Sequence, residues 1–348
     1  MKKLIRKSVD EMQGYTPGEQ PVVKGIVKLN TNENPYPPSP NVAKALCAMD
    51  AGALRLYPDP LSKELRARIA AIHGCGISQV FACNGSDEVL ALCTRAFVEN
   101  DGSIGYFVPS YSLYPVLAKI RDVKEKPVQL DGDFGWLMPK GYKSSLFFLT
   151  YPNAPTGIQY PKKTIREFCS KFSGVVVIDE AYVDFARENC MDLALSLSNV
   201  IVIRTVSKSF SLAGLRVGYA VGPEKLINAL FKIKDSYNLD RVSQAVALAA
   251  FNDLDHMRRN VRKIQASRER LSAALQKIGY SVYPSESNFI WVRPKGLSAV
   301  QVFDHLRAEK ILVRYFPGPR TGDFIRITIG ADAECDKLLG AIIRMNHD

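Results

Sequence analysis

Val200-Ile201-Val202-Ile203-Arg204-Thr205-Val206-Ser207-Lys208-Ser209-Phe210-Ser211-Leu212-Ala213-Gly214-Leu215-Arg216-Val217-Gly218-Tyr219 is the stretch on which the fold turns. The β-branched run from Val200 to Val206 predicts a buried strand that delivers a lone lysine to its end. Small hydroxyl and glycine residues follow, and Arg216 comes eight positions after Lys208. A lysine at the mouth of a buried strand is partly desolvated. That lowers its pKa and makes the amine a usable nucleophile toward carbonyls. A lone lysine in a serine-rich turn is more often an ordinary surface residue, so the weight of this reading rests on what surrounds it.

Upstream, Val175-Val176-Val177-Ile178 predicts a second buried strand, closed by Asp179-Glu180-Ala181-Tyr182. Carboxylates at the carboxyl end of a strand in an open α/β sheet point into the ligand crevice. A single strand-end aspartate is more often a helix N-cap, but Asp179 and Lys208 each close an apolar strand. A third element is Asn84-Gly85-Ser86-Asp87-Glu88, between a short strand (Val80 to Cys83) and a helical run (Val89 to Val98). A Gly-Ser turn opening a helix offers free backbone N–H groups and the positive end of the dipole, which suits phosphate. Ser86 or Asp87 would equally serve as a plain N-cap. Thr205, Ser207 and Arg216 are further candidate phosphate ligands. Pyridoxal phosphate needs this set: an amine for its aldehyde, an anion to keep its ring nitrogen protonated, and a phosphate cup. The hydroxyl of Tyr182 could donate to the cofactor's phenolate oxygen.

These residues resemble the fold-type I pyridoxal-phosphate aminotransferases of the class II group, most closely the histidinol-phosphate aminotransferases. The resemblance runs nearly end to end, from Tyr15-Thr16-Pro17-Gly18 and Leu29-Asn30-Thr31-Asn32-Glu33-Asn34-Pro35 to Phe324-Ile325-Arg326-Ile327-Thr328. Tyr57-Pro58-Asp59, the Asp179 strand and the Ser207-Lys208…Arg216 stretch are its other specific parts. It implies Lys208 as the Schiff-base lysine, Asp179 on the pyridine nitrogen, Tyr182 on the phenolate oxygen and Tyr111 stacked on the ring. Gly85, Ser86, Thr205, Ser207 and Arg216 would hold the phosphate, joined by Tyr57 from a second subunit, with Asp87 a further cofactor-binding residue. Tyr15 and Asn32 would face the substrate, Arg326 is similar to the arginine that grips a substrate anion, and Arg314 to the one that binds its phosphate. The family carries Asn immediately before Pro-Thr-Gly, whereas this chain reads Asn153-Ala154-Pro155-Thr156-Gly157. Either Asn153 substitutes, or Tyr182 acts with a water; a turn residue before proline explains Asn153 as well.

The implied reaction is a ping-pong amino transfer between L-histidinol phosphate and 2-oxoglutarate, giving glutamate, with Lys208 as general base and acid. Arginine suits the anion sites because its fork pairs with carboxylate and phosphate alike. Rival readings within the family are an aromatic amino acid aminotransferase and a threonine-phosphate decarboxylase. A non-catalytic pyridoxal-binding regulator would need an appended DNA-binding domain, for which the reading leaves no residues.

The 348 residues and the 47% hydrophobic content suit one large domain plus a smaller one. No apolar run reaches the ~20 residues of a membrane span. The basic start, Met1 to Lys7, lacks the apolar region of a secretory signal. Seven cysteines without paired spacing and four scattered histidines predict reduced thiols, a cytoplasmic protein and no metal site. The net charge of +11 is spread along the chain without a recognition motif, so nucleic acid is not an expected partner. The dense cluster Arg258-Arg259-Asn260-Val261-Arg262-Lys263, with Arg268 and Arg270, fits a solvated helix face.

Strand and helix signals alternate from Phe81 to Val221, which predicts an α/β fold with a mostly parallel sheet covered by helices. Beyond Pro223 the pattern becomes helical. A long stretch from about Ser243 to Lys277 breaks near Asp253-Leu254-Asp255, and strands follow at Asn288–Val292, Ile311–Tyr315 and Ile325–Ile329. The expected organisation is an N-terminal arm (1–40), a large cofactor-binding domain (41–240) and a small α+β domain (241–348), assembled as a homodimer. The proline-rich segment from Tyr15 to Pro40 reads as an arm outside the core.

Overall fold

Continuous β-branched and aromatic runs form strands that are buried on both faces, the pattern of a covered parallel sheet. The computed structural model describes residues 4–21 and 25–345. Along the chain the strands are β1 (Val27–Lys28), β2 (Val80–Asn84), β3 (Ser103–Val108), β4 (Lys124–Gln129), β5 (Leu146–Thr150), β6 (Val175–Asp179) and β7 (Val200–Thr205). They continue with β8 (Val217–Val221), β9 (Ser281–Val282), β10 (Phe289–Arg293), β11 (Ile311–Leu312), β12 (Arg314–Tyr315) and β13 (Ile325–Thr328).

The large sheet has the order β2-β8-β7-β6-β5-β3-β4. Strands β3 to β7 are parallel, and β8 runs antiparallel to both β7 and β2. Successive side chains feed opposite cores. Leu146 and Phe148 of β5 join Leu90 and Leu117 from the helices Ser86–Phe97 and Leu113–Arg121. Phe147 and Leu149 join Ile165 and Val246 from Lys162–Lys171 and Arg241–Phe251 on the other side. Because β8 reverses, its amino end meets the carboxyl ends of its neighbours: Val217 pairs with Asn84, and Gly218 with Thr205. Thr150 pairs with Asp179 next door. One rim of the sheet therefore gathers the ends of β2, β5, β6 and β7 and the start of β8, where ligands bind in such sheets.

A four-stranded antiparallel sheet, β12-β13-β10-β9, packs with the helices Leu254–Lys277, Ala299–Ala308 and Asp332–Met345 around Ile264, Ile290, Val302 and Leu338.

Three expectations change. The run Ile311–Tyr315, read as one strand, divides at Val313: β11 pairs in parallel with β1, and β12 joins β13. The segment from Tyr15 to Pro40 is not wholly outside the core, since Val27 and Leu29 are buried in the second core and Asn30 and Asn32 are buried too. Its prolines and asparagines hide one short strand, and Pro40 opens the helix Pro40–Cys47. The alternation also omits β4, Lys-Glu-Lys-Pro-Val-Gln, an edge strand whose only buried side chain is Val128. An edge tolerates such polarity and a proline because one side of the strand needs no partner.

Candidate active site

The rim opens into a cleft of ≈ 710 Å³ reached by both sheets and by the segment around Tyr15. Lys208 lies three residues beyond the end of β7. Its Nζ donates to the carbonyl of Thr31 at 3.1 Å and sits 5.8 Å from the centre of the Tyr182 ring. Burial, with Arg326 and Arg216 nearby, lowers its pKa to about 8 against the pull of Glu33 and Asp87. The amide of Asn34 holds the Lys208 carbonyl at 3.1 Å, fixing the turn that carries the amine.

Asp179 closes β6 and is 4% exposed. Its Oδ1 accepts the N–H of Ala181 at 3.2 Å, and its Oδ2 accepts the hydroxyl of Tyr114 at 3.0 Å. Among the described residues it forms no ion pair. Burial pushes its pKa up to about 7 although both donors oppose the rise. Tyr182 is held by Asn32, whose Nδ2 donates to its hydroxyl at 2.9 Å. Asn32 takes a left-handed backbone, φ 58°, which asparagine tolerates. Thr328 of β13 donates to its Oδ1 at 2.9 Å, and Asn288 donates to its carbonyl at 3.0 Å.

At the other end of the cleft Ser86 and Asp87 begin the helix Ser86–Phe97, with Thr205, Ser207 and Arg216 facing them. Thr205 donates to the Ser207 hydroxyl at 2.9 Å. Arg216 pairs with Asp87 at 3.3 Å, and the hydroxyl of Tyr111 donates to the other oxygen of Asp87 at 3.2 Å. A Cβ on Gly85 would lie 2.6 Å from Arg216 Nη2, and φ there is +73°. A Cβ on Gly218 would lie 2.5 Å from the Ser86 nitrogen. Only glycine lets the backbone N–H groups and the guanidinium approach one point, the requirement of a phosphate cradle.

The wall facing Lys208 is built by the second sheet. Arg314 and Arg326 are register partners across β12 and β13. Arg326 donates to the Asn30 carbonyl at 2.8 Å and lies over the rings of Phe289 and Phe316 at 5.3 and 5.4 Å. Its Nε is buried without a hydrogen-bond partner among the described residues. Burial first, then Arg314, lowers its pKa. Arg314 donates to the carbonyls of Thr16 and Pro17 at 3.2 and 3.4 Å, and Tyr15 meets Tyr111 edge-on at 5.8 Å. Two adjacent guanidinium groups, one with an unspent donor, can take an anion.

Two sequence-predicted residues lie elsewhere. Asn153 is buried with its amide donating to the Pro109 carbonyl at 3.2 Å and to Thr156 at 3.0 Å, while Ala154 lines the cleft. The expected replacement of the family's asparagine by Asn153 is thus not made: that side chain braces the turn. Tyr57 is 76% exposed and stacks on Tyr237 at 4.3 Å, away from the cleft of its own chain. Conversely, Thr31, Tyr114 and Thr150 touch the site and were not singled out. Thr31 acts through its backbone, and Tyr114 sits three residues from Tyr111 on a helix, where its apolar surroundings read as core.

The site fits pyridoxal phosphate on its own chemistry. Asp179 is a buried carboxylate lacking a counter-cation, complementary to a protonated ring nitrogen; Lys208 is an amine with a depressed pKa; and the glycine-lined cup suits a dianion. Comparison with known proteins agrees. The chain belongs to the aminotransferase class I and II family, whose pattern it matches over residues 24–342. It is 44% identical, over 97% of both chains, to a histidinol-phosphate aminotransferase of Geobacter sp. strain M21. A histidinol-phosphate aminotransferase from Sinorhizobium meliloti, solved in complex with pyridoxal-5′-phosphate, superimposes with a TM-score of 0.82 at 25% identity, covering 91% of this chain and 89% of that one. An L-threonine-O-3-phosphate decarboxylase from Porphyromonas gingivalis shares the fold, with a TM-score of 0.81 at 20% identity over 93% of this chain and all of that one.

Proposed function

We propose that the chain is a pyridoxal-phosphate-dependent aminotransferase that exchanges an amino group between L-histidinol phosphate and 2-oxoglutarate. The observation that carries this reading is the placement of Lys208 and Asp179 on one rim, opposite an arginine pair whose inner guanidinium keeps an unspent donor. The bound cofactor supplies an aldehyde and an electron-withdrawing ring. Lys208, neutral above about pH 8, takes the proton from the substrate's Cα and returns one. Asp179 keeps the ring nitrogen charged, and Tyr182, oriented by Asn32, serves the phenolate oxygen. Tyr111 covers the ring, Gly85, Ser86, Thr205, Ser207 and Arg216 hold the phosphate, and Asp87 anchors Arg216 and Tyr111 beside it. Ala154 offers no side-chain donor, so Tyr182 carries the phenolate contact alone or with a water.

Arg326 takes the carboxylate of glutamate or 2-oxoglutarate, and Arg314, beside Tyr15, takes the phosphate of histidinol phosphate. Replacing Arg314 by alanine should therefore damage the histidinol-phosphate half-reaction far more than the glutamate half. A charge-assisted pairing is worth about 1.5–3 kcal/mol, so the ratio of the two half-reactions shifts tenfold or more. Single-turnover absorbance changes with each donor supplied separately measure that ratio; an unchanged ratio removes Arg314 from phosphate binding.

A homodimer is the active unit in this reading. Tyr57 sits among exposed Leu54 and Leu56, apolar surface that a partner chain would cover. Tyr57→Ala should weaken pyridoxal-phosphate retention about tenfold, by loss of one hydrogen bond to a charged group. An active monomer in light scattering at assay concentration contradicts the assembly. The seven free thiols accord with a reducing cytoplasm. The decisive assay is turnover with histidinol phosphate and 2-oxoglutarate, set against aromatic amino acids and threonine phosphate as competing substrates. Preference for either competitor, or loss of carboxylate from threonine phosphate, would replace the reading with that activity.

A further inference from the structure

Tyr114 belongs to the helix Leu113–Arg121 and is fully buried. Its ring stacks on Phe148, with centroids 4.8 Å apart and planes 19° from parallel, and meets Tyr111 edge-on at 5.6 Å and 85°. So clamped, the hydroxyl points between the ends of β5 and β6. There it donates to Asp179 Oδ2 at 3.0 Å and lies 2.6 Å from Thr150 Oγ1. Thr150 and Asp179 are register partners, so the strand pairing itself fixes the spacing of the three groups.

The direction of the hydrogen bonds follows from counting hydrogens. A phenol carries one, and an ionised carboxylate only accepts. The Tyr114 hydrogen therefore goes to Asp179, and Thr150 supplies its own to the Tyr114 oxygen. A donor polarised by a second donor is a stronger donor. It stabilises the anionic form of Asp179 and makes that carboxylate a weaker base. Burial works the other way, as do the carboxylates of Asp87 and Glu180; the phenols of Tyr111 and Tyr182 also face the group. Between a carboxylate and a pyridine nitrogen, the shared proton goes to the stronger base. A buried aspartate without strong donors would take it.

We propose that Tyr114, polarised by Thr150, is a positioning residue that keeps Asp179 anionic, so that the proton of the pair stays on the ring nitrogen of pyridoxal phosphate. The proposal rests on the cofactor reading above. A packing role alone would be filled equally by phenylalanine, which keeps both aromatic contacts.

Three variants test it: Tyr114→Phe, Thr150→Val and Thr150→Ser. In the cofactor-free chain, the Asp179 carboxyl is followed against pH by isotope-edited infrared difference spectra, with Asp179→Asn as the blank. Tyr114→Phe should raise the midpoint by about one pH unit, the tenfold effect of a hydrogen bond to a charged group. Thr150→Val should move it less in the same direction, and Thr150→Ser should restore the parent midpoint. In the loaded chain, ring-labelled pyridoxal phosphate should show a ¹⁵N shift toward the neutral nitrogen in Tyr114→Phe. Its kcat should fall tenfold or more while KM for the amino donor holds. A parent midpoint and a parent ¹⁵N shift in Tyr114→Phe overturn the proposal. If that variant does not fold, an unchanged midpoint in Thr150→Val overturns it instead. Failure of the parent chain to take up pyridoxal phosphate would sink the cofactor reading, and the titration of the cofactor-free chain would still decide whether Tyr114 tunes Asp179.

Discussion

Lys208→Ala is expected to lose at least about four orders of magnitude in transamination, the upper range for removing one acid–base group, while the fold persists. The side chain's hydrogen bond is to the Thr31 carbonyl, which the adjoining cleft leaves open to water once the amine is gone. Removing a buried amine also removes its desolvation cost, so thermal stability of the cofactor-free variant should match the parent or exceed it. The function depends on the same desolvation. Burial and the neighbouring Arg326 and Arg216 hold the Lys208 pKa near 8, below that of an exposed lysine. A depressed ammonium pKa means that the nucleophilic, neutral amine grows tenfold for each pH unit up to about 8 and then levels. Uptake of pyridoxal phosphate by the cofactor-free parent, followed by absorbance, should trace that curve. Borohydride reduction of the loaded chain followed by peptide mapping should place the pyridoxyl group on Lys208. A label on another lysine, or an uptake rate that keeps climbing to pH 10, would refute the assignment.

How much of this was legible in the residues depends on where each signal resides. The central strands were plain because two-sided burial demands unbroken apolar runs, as in Val175–Ile178 and Val200–Ile203. Lys208 and Asp179 were plain for the same reason: a charge that ends such a run stands out. The glycine turn at Gly85 also declared itself, although the partner that makes glycine necessary there, Arg216, is 131 positions away in the sequence. Polar strands were not legible. β4 carries one buried side chain, and the division of Ile311–Tyr315 depends on which sheet each half meets, which composition does not encode. Asn153 was ambiguous in the sequence because one residue of offset in a tight turn exchanges a cleft-facing side chain for a buried brace. Tyr114 looked like core, and by burial it is; its hydroxyl matters only because β5 and β6 bring Thr150 and Asp179 level.

Asp179→Asn should lower turnover about a hundredfold or more, since an interaction of roughly 3 kcal/mol with a protonated ring nitrogen is lost, yet it should stabilise the cofactor-free chain. The two effects share one cause. Asp179 is buried, and both groups that donate to it are neutral, so its charge is costly until a cation faces it. Its pKa stands at about 7 in the folded chain, against near 4 when unfolded. The folded state therefore holds a proton that the unfolded state has lost. Stability conferred by that proton is full below pH 4 and is lost as pH rises through 7. By pH 8 the parent has given up as much as about 4 kcal/mol that the amide variant, which does not ionise, retains. Denaturant midpoints of the two cofactor-free chains should converge near pH 4 and separate at pH 8, with the variant higher. Adding pyridoxal phosphate should reverse the order, because the ring cation repays the parent's buried charge and offers the amide little. Equal stability of the two chains across this range would mean that Asp179 is not ionised at a cost. Near-normal turnover of the variant would assign the ring nitrogen to another group.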